Sequence, residues 1–160
     1  MFPQRINLIL YSTLAVIICY IDRVNISVAI IPMQDQFGWS DSQVGFIFSS
    51  FYIGYMLTMA LGGYLSDKFG GKLVLGLGVV LWSIFTILTP LAAHNGFFAL
   101  FFMRILVGLG EGVTFPAWQS LYARWIPFKE RTRAIAFTNS GISIGTVSYT
   151  HLTLPTTIAV

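Results

Sequence analysis

Charge and cysteine are both scarce in this sequence. Only 9% of its 160 residues are Asp, Glu, Lys or Arg, whereas 56% are hydrophobic and the mean hydropathy is +0.77. Because a soluble domain carries about 25% charged residues, this composition excludes an ordinary soluble fold. The single cysteine, Cys19, excludes a disulfide framework. The sequence therefore predicts an integral membrane protein.

Long hydrophobic runs divide the chain into candidate spans. A helix needs roughly 20 apolar residues to cross about 30 Å of hydrocarbon. We predict an all-α membrane protein with four complete transmembrane helices plus the start of a fifth. Their approximate bounds are residues 6–31, 42–64, 73–92, 97–122 and 133–146. Pro32 is expected to end the first span, and Ser40 with Asp41 to cap the second.

Basic residues are missing from two of the predicted loops, IPMQDQFGWSD and AAHNG. The opposite side of the predicted topology carries Arg5, Lys68, Lys72, Arg124, Lys129, Arg131 and Arg133. Because short cytoplasmic loops are enriched in Lys and Arg, we expect a cytoplasmic N-terminus. The net charge of +3 is then a topology signal, and no nucleic-acid partner is expected.

Four ionisable residues lie well inside the predicted spans: Asp22, Arg23, Arg104 and Glu111. At roughly 2.5 to 3.5 kcal/mol each, four lipid-facing charges would cost on the order of 10 kcal/mol. They are therefore expected to face the interior of the helix bundle. Residues of this kind pair with one another, line a hydrated cavity, or do both.

The spacing of these residues indicates an anion site. Arg104 and Glu111 are seven residues apart, so both lie on one helix face about 10 Å apart along the axis, with Gly108 between them. Arg23 lies eight residues before the outer end of its span and Arg104 seven residues after the outer start of its own. Two guanidinium groups at nearly equal depth repel each other, and a shared carboxylate or phosphate suits their bidentate geometry.

The carboxylates have a separate predicted task. A buried carboxylate can take up or release a proton when the occupancy or hydration around it changes, so Asp22 and Glu111 are candidates for proton coupling. The alternative is structural: Asp22 would pair with Arg23 or Arg104, and Glu111 with another cation, only to hold helices together.

Glycines recur along the predicted spans, where they let helix backbones approach closely. They are Gly45, Gly54, Gly62, Gly63, Gly76, Gly78, Gly108, Gly110 and Gly112.

Residues 62–72, GGYLSDKFGGK, resemble the cytoplasmic signature of the major facilitator superfamily between its second and third helices. The matching positions are Gly63, Leu65, Asp67, Gly70 and Lys72. The resemblance implies that this segment is a conformational signature. It also implies that these helices form part of the N-terminal six-helix bundle of a twelve-helix transporter whose C-terminal half is missing here.

The stretches YIDRVNISVA, SSFYIGY, FMRILVGLGEGVTFPA and RWIPFKERTRA are similar to the anion:cation symporter branch of that superfamily. This branch includes sugar-acid permeases and the sialate, vesicular glutamate and phosphate carriers. The resemblance implies that Arg23 and Arg104 bind the substrate anion, that Tyr20 and Tyr55 line the site, and that Asp22 and Glu111 couple protons. For the two tyrosines, a packing role is the alternative.

The end of the sequence departs from this pattern. Residues 147–157, VSYTHLTLPTT, break off a helical pattern with a polar run, and they resemble the translation of a transposon-end sequencing adapter. We therefore expect residues 1–146 to form a partial N-terminal transporter domain and residues 147–160 to be a library artefact. A divergent loop is the alternative.

These observations predict a proton-coupled symporter of a small organic anion such as a sugar acid, embedded in a lipid bilayer, with a bacterial inner membrane as the expected location. The alternatives are a sodium-coupled phosphate or anion carrier and a non-transporting membrane scaffold. Neither a cofactor nor a metal is expected. An enzyme is disfavoured because the spans contain no His/Ser/Asp or metal-ligand constellation.

Overall fold

The computed structural model describes residues 2–157, with the side chains of residues 4–147, and this part of the chain is entirely helical. It contains six helices in chain order: α1 (Phe2–Phe37), α2 (Asp41–Phe69), α3 (Gly71–His94), α4 (Phe97–Glu111), α5 (Thr114–Trp125) and α6 (Phe128–Thr157). Four segments are long and apolar enough to cross a bilayer: Gln4–Phe37, Asp41–Phe69, Gly71–His94 and Phe97–Trp125. The all-α membrane fold and the four predicted spans are confirmed.

The fourth span differs from the prediction because it is interrupted. The helical hydrogen bonds on each side are regular, with Gly112 N donating to the Gly108 oxygen at 2.9 Å and Ala117 N to the Val113 oxygen at 3.0 Å. Pro116 explains the break, since it has no N–H for the Gly112 carbonyl and its ring crowds that oxygen. The predicted span over 97–122 is therefore confirmed as a span, but it consists of two helices, α4 and α5, rather than one.

The expectation that Pro32 ends the first span is also wrong. The helix includes Pro32 and continues to Phe37, whose ring stacks on Trp39 at 5.1 Å and meets His94 edge-on at 5.5 Å. A transmembrane helix tolerates an internal proline where neighbouring groups compensate for the lost hydrogen bond. This aromatic packing holds the final turns of α1 in place beyond the proline.

The predicted cap of the second span is confirmed. The Ser40 hydroxyl accepts from Gln43 N at 3.4 Å, and the Gln43 side-chain oxygen accepts from Ser40 N at 2.9 Å. This reciprocal pair is a capping box, which satisfies donors that the first turn of a helix leaves unbonded.

The chain divides into two compact units, residues 30–121 and residues 1–29 with 122–160, which we name the central unit and the terminal unit. In the central unit, α4 packs against both α2 and α3. Three small apolar cores hold these helices together, and one of them consists of Phe51, Trp82 and Val107.

The terminal unit joins the first part of α1 to α6 through buried hydroxyl groups. The Tyr122 hydroxyl and Thr138 Oγ1 are 2.6 Å apart, and Thr13 Oγ1 donates to Thr138 Oγ1 at 3.4 Å. Gly141 and Gly145 of α6 lie against the backbone of α1, at Thr13 and Ile17. Hydrogen bonds between helices therefore add to close packing in this unit.

Helix α6 begins at Phe128, five residues before the predicted start at 133, directly after Pro127. Proline is favoured at the start of a helix because its missing N–H would have no partner there. The helix is continuous to Thr157, beyond the predicted end at residue 146. Within the supposed adapter-derived tail, the side chains after Val147 and the whole of residues 158–160 lie outside the described residues, so the origin of that tail stays a prediction.

Candidate anion site and its charged helices

Two of the four intramembrane charged residues are buried in the central unit. The side chain of Arg104 is 6% exposed, and Glu111, seven residues later on α4, is 0% exposed. Gly108, in the turn between them, is buried as well. The prediction that both residues face the interior of the helix bundle rather than lipid is therefore confirmed.

An aromatic side chain of α2 lies against Arg104. Its guanidinium carbon lies 5.0 Å from the centre of the Phe51 ring, within the range of a cation–π interaction. Phe51 in turn stacks on Tyr55, with ring centres 5.7 Å apart. Tyr55, predicted to line the site, is thus one aromatic ring away from Arg104.

Glycines set the close approach that brings these groups together. A side chain at Gly54 would collide with the Ile105 carbonyl of α4, and one at Gly108 with the Phe51 carbonyl of α2. A side chain at Gly112 would likewise collide with the Thr58 hydroxyl and the Tyr55 carbonyl. The backbones of α2 and α4 are therefore in direct contact at Gly54 and Gly108, with no room for an added Cβ. This contact fixes the part of α4 that carries Arg104 and Glu111 against α2.

The other glycines of the predicted spans differ in how closely a neighbouring helix approaches them. Gly78 of α3 faces Val113, Gly110 of α4 faces Trp82, and Gly62 faces Pro116, each at a distance too short for an added Cβ. In contrast, the glycines at positions 45, 63 and 76 have open space around them. The prediction of close helix approach is therefore confirmed for the first group and wrong for these three positions.

The terminal unit carries the other two charged residues, Asp22 and Arg23, both partly buried on α1. The Arg23 guanidinium carbon lies 5.0 Å from the centre of the Tyr20 ring, three residues earlier on the same helix. A Cβ at Gly145 of α6 would lie 3.0 Å from the Tyr20 Cβ, so α6 supports the tyrosine from behind. Tyr20 is therefore fixed by packing on one side and in contact with the predicted anion-binding arginine on the other.

The predicted conformational signature forms the turn between α2 and α3. Gly70 is the only residue between these helices, and its φ of +88° favours glycine. Asp67 accepts a hydrogen bond from the Ser120 hydroxyl at 3.3 Å, while Gly63 is half-buried and Lys72 is exposed. The turn geometry gives a physical reason for Gly70.

The structure places Arg104, Glu111 and Tyr55 in the central unit, with the Phe51 ring between Arg104 and Tyr55, and it places Tyr20 against Arg23 in the terminal unit. The predicted convergence of Arg23 and Arg104 on one anion joins residues of different units, and it stays a prediction. Sequence reasoning did not single out Phe51 or Ser120. The spacing of Phe51 four residues before Tyr55 could have indicated an aromatic pair, but no local signal marks Ser120 as a partner of Asp67.

A helical chain with four segments able to span a bilayer and with buried Arg and Glu side chains inside them is a multi-pass integral membrane protein. The model of the Major Facilitator Superfamily matches residues 12–150, and the chain belongs to this family. This membership agrees with the prediction that the chain is no enzyme.

Plant proteins are among the relatives of this chain. The chain is 50% identical over 147 residues to a probable chloroplastic anion transporter 4 of Oryza sativa subsp. japonica, covering 92% of this chain and 25% of the relative. It is 48% identical to the chloroplastic ascorbate transporter of Arabidopsis thaliana and 46% identical to its chloroplastic sodium-dependent phosphate transport protein 1, again over 92% of this chain and over 27% and 29% of those proteins. The chain therefore spans little more than a quarter of the length of these relatives.

Among solved structures, the chain is similar to a bacterial homologue of the human lysosomal transporter Spinster in an inward-facing and occupied conformation. The TM-score is 0.85 at 30% identity, with 92% of this chain and 31% of that one covered. This agreement supports the helical arrangement expected for the family. The expected bacterial inner membrane is not supported by the plant relatives, whose names place them in the chloroplast.

Proposed function

We propose that this chain is part of a secondary active transporter that moves a small organic anion together with protons across the membrane. The observation that carries the proposal is Arg104, 6% exposed in a membrane-spanning segment, beside an aromatic pair and on the same helix face as the fully buried Glu111. An ionisable side chain at this depth is costly and marks a substrate or proton path by default.

The substrate class follows from the chemistry of the arginines. The planar guanidinium groups of Arg23 and Arg104 suit a carboxylate or a phosphate in bidentate geometry. Tyr20 and Tyr55, which lie at or one ring away from these arginines, would line the site. The relatives described as anion, ascorbate and sodium-dependent phosphate transporters support an anionic substrate.

Proton coupling is assigned to Glu111 and Asp22. Glu111 is 0% exposed, so its protonation would respond to any change in hydration that accompanies substrate entry. Asp22 adjoins Arg23 on α1, so its charge would respond to the occupancy of that arginine.

We further propose that the N-terminus faces the cytoplasmic or equivalent side, because the seven basic residues other than Arg23 and Arg104 all fall on that side of the predicted topology. In transporters with repeated halves, the substrate site lies between the halves near the bilayer midplane. The remaining length that the relatives have would accordingly supply the other wall of the path, with Asp67 contacting it in one conformation.

A second candidate function is sodium-coupled phosphate transport. It is favoured by the 46% identity to the Arabidopsis sodium-dependent phosphate transport protein, which uses sodium according to its name. Two arginines would hold phosphate as readily as a carboxylate.

A chimera tests these functions. Residues 6–146 of this chain replace the matching segment of the Arabidopsis ascorbate transporter, and the purified chimera is reconstituted into liposomes. Uptake of labelled ascorbate, gluconate and phosphate is measured under an imposed pH gradient, a sodium gradient or neither. We expect carboxylate uptake driven by the pH gradient. Phosphate uptake that follows only the sodium gradient would select the second candidate, and a well-folded chimera without flux would favour a scaffold.

A further inference from the structure

An open groove lies at one end of the terminal unit, between the first turns of α1 and the first turns of α6. We name it the interfacial groove; its volume is about 350 Å³. The residues that line it are Arg5, Ile6, Ile9, Leu10, Ile126, Glu130, Arg133, Ala134 and Phe137. This volume is at the lower end of the roughly 300–1,000 Å³ typical of small-molecule sites.

The groove is apolar inside and charged at its rim. Ile126 and Ala134 form a buried base, and Ile6, Leu10 and Phe137 present exposed apolar surface, with Phe137 53% exposed. The rim carries Arg5, Arg133 and Glu130. A ligand that fits this arrangement has an apolar part and a polar head.

The rim favours a negative head group. Arg5 and Glu130 form an exposed ion pair with 3.8 Å between Nη1 and Oε2, which contributes little stability. Arg133 has no ion-pair partner among the side chains of residues 4–147. Two arginines against one carboxylate leave a net positive rim, with one guanidinium open to an anion.

The position of the groove along the spans selects the class of ligand. Arg5 lies at the start of the span Gln4–Phe37, and Ile126 directly follows the end of the span Phe97–Trp125. The groove therefore lies at the depth where lipid head groups meet acyl chains. Basic pockets between transmembrane helices at this depth bind anionic phospholipids.

We propose that the interfacial groove is a binding site for an anionic phospholipid, with the phosphate between Arg5 and Arg133 and the upper part of an acyl chain along Ile6, Leu10 and Phe137. The proposal does not depend on the transported substrate. Bound lipid would join α1 to α6 at the membrane surface, next to the ion pair between Arg5 and Glu130.

A tryptophan placed in the groove tests this directly. The reporter is Phe137→Trp in a Trp125→Phe background, because Trp125 is 59% exposed whereas Trp39, Trp82 and Trp118 are buried. The purified full chain is reconstituted into phosphatidylcholine vesicles, and its fluorescence quenching by brominated phosphatidylglycerol is compared with quenching by brominated phosphatidylcholine. We expect an apparent preference of about fivefold or more for phosphatidylglycerol, as one unpaired arginine near an anionic surface provides.

Three charge variants of the reporter distinguish a specific lipid site from a general attraction between the basic protein surface and anionic lipids. Arg133→Gln should remove most of the preference, Glu130→Gln should increase it, and the matched control Lys129→Gln, which removes a neighbouring charge that does not line the groove, should leave it unchanged. A second reporter, Ile87→Trp on α3 at a site 76% exposed and away from the groove, should show no preference.

Five results would overturn the proposal. These are equal quenching by the two lipids at Phe137→Trp, an equal preference at Ile87→Trp, and a Lys129→Gln effect as large as that of Arg133→Gln. The fourth is relief of the quenching by inorganic phosphate, which would assign the site to a soluble anion. Absence of quenching by either lipid would mean that protein covers the groove, and that result would also contradict the proposal.

Discussion

The two units of this chain hold their charged residues in different ways. In the central unit, Arg104 and Glu111 are buried behind a backbone contact between α2 and α4 at glycines 54 and 108. In the terminal unit, Asp22 and Arg23 are only partly buried, and the helices are joined through the hydroxyl groups of Tyr122, Thr138 and Thr13. The comparison indicates one rigidly packed charged segment and one that retains exposed surface.

The two arginines are therefore held in place by different contacts. The position of Arg104 is fixed by a contact in which even one added carbon would collide with backbone. Arg23 is partly buried, and its guanidinium lies against the ring of a tyrosine of its own helix.

The largest effect, a loss of anion accumulation, is expected at Glu111 in the central unit. In the chimera, Glu111→Gln should abolish accumulation of the anion against its gradient while leaving exchange of labelled for unlabelled anion intact, because a buried amide cannot carry the coupled proton. Liposome accumulation and counterflow assays measure the two activities. Asp35→Asn, an exposed carboxylate on α1, is the matched control and should change neither. Accumulation that survives Glu111→Gln would assign coupling elsewhere.

The glycine contact of the central unit is expected to show the next largest effect. Gly108→Ala places a methyl group on the Phe51 carbonyl, so we expect it to reduce stability by about 1–3 kcal/mol. Denaturant unfolding of the purified chain, followed by circular dichroism, measures this change. Gly76→Ala on α3 has open space and should be neutral or stabilising by up to about 1 kcal/mol. Equal effects of the two variants would contradict the tight contact.

Much of the fold could be predicted because it follows from local composition. The four apolar runs and the Ser40 cap depend on neighbours in the sequence. The interruption before Thr114 also has a local cause in Pro116, which the prediction of a single helix over 97–122 did not take into account. The helix beyond Pro32 depends on the ring of Phe37 meeting His94, which is far along the chain.

The candidate site was predicted unevenly for the same reason. The burial of Arg104 and Glu111 follows from the cost of charge in lipid, which the sequence alone establishes. The identity of the partner side chains does not, because Phe51 meets Arg104 and Ser120 meets Asp67 only when α2, α4 and α5 pack. Glycine periodicity correctly indicated close approach at Gly54 and Gly108, but it cannot distinguish them from the open glycine at position 76.

A smaller effect is expected in the terminal unit. Thr138→Val keeps the shape of the side chain but leaves the buried Tyr122 hydroxyl and Thr13 without their shared partner, at a cost of about 1–2 kcal/mol. The same unfolding measurement applies. Ser140→Ala, which removes an exposed hydroxyl bonded to its own helix at Phe137, should cost less than about 0.5 kcal/mol. If Thr138→Val costs no more than this control, the hydroxyl network does not stabilise the unit.

The smallest effect is expected at Ser120. Its hydrogen bond to Asp67 is exposed and 3.3 Å long, so Ser120→Ala should change stability by less than about 0.5 kcal/mol. A loss several times larger in unfolding experiments would show that the signature turn depends on this contact.

The measurement that tests the central claim most directly is a double-mutant cycle on anion binding by the chimera. Arg23→Lys and Arg104→Lys keep the charges but remove the planar forks, and equilibrium binding of labelled ascorbate is measured for both single variants and the double variant. If both arginines hold one anion, each single change should weaken binding about tenfold or more. The loss of binding free energy in the double variant should then be smaller than the sum of the two single losses, by more than about 0.5 kcal/mol. Additive losses, or unchanged affinity in either single variant, would contradict the shared anion site.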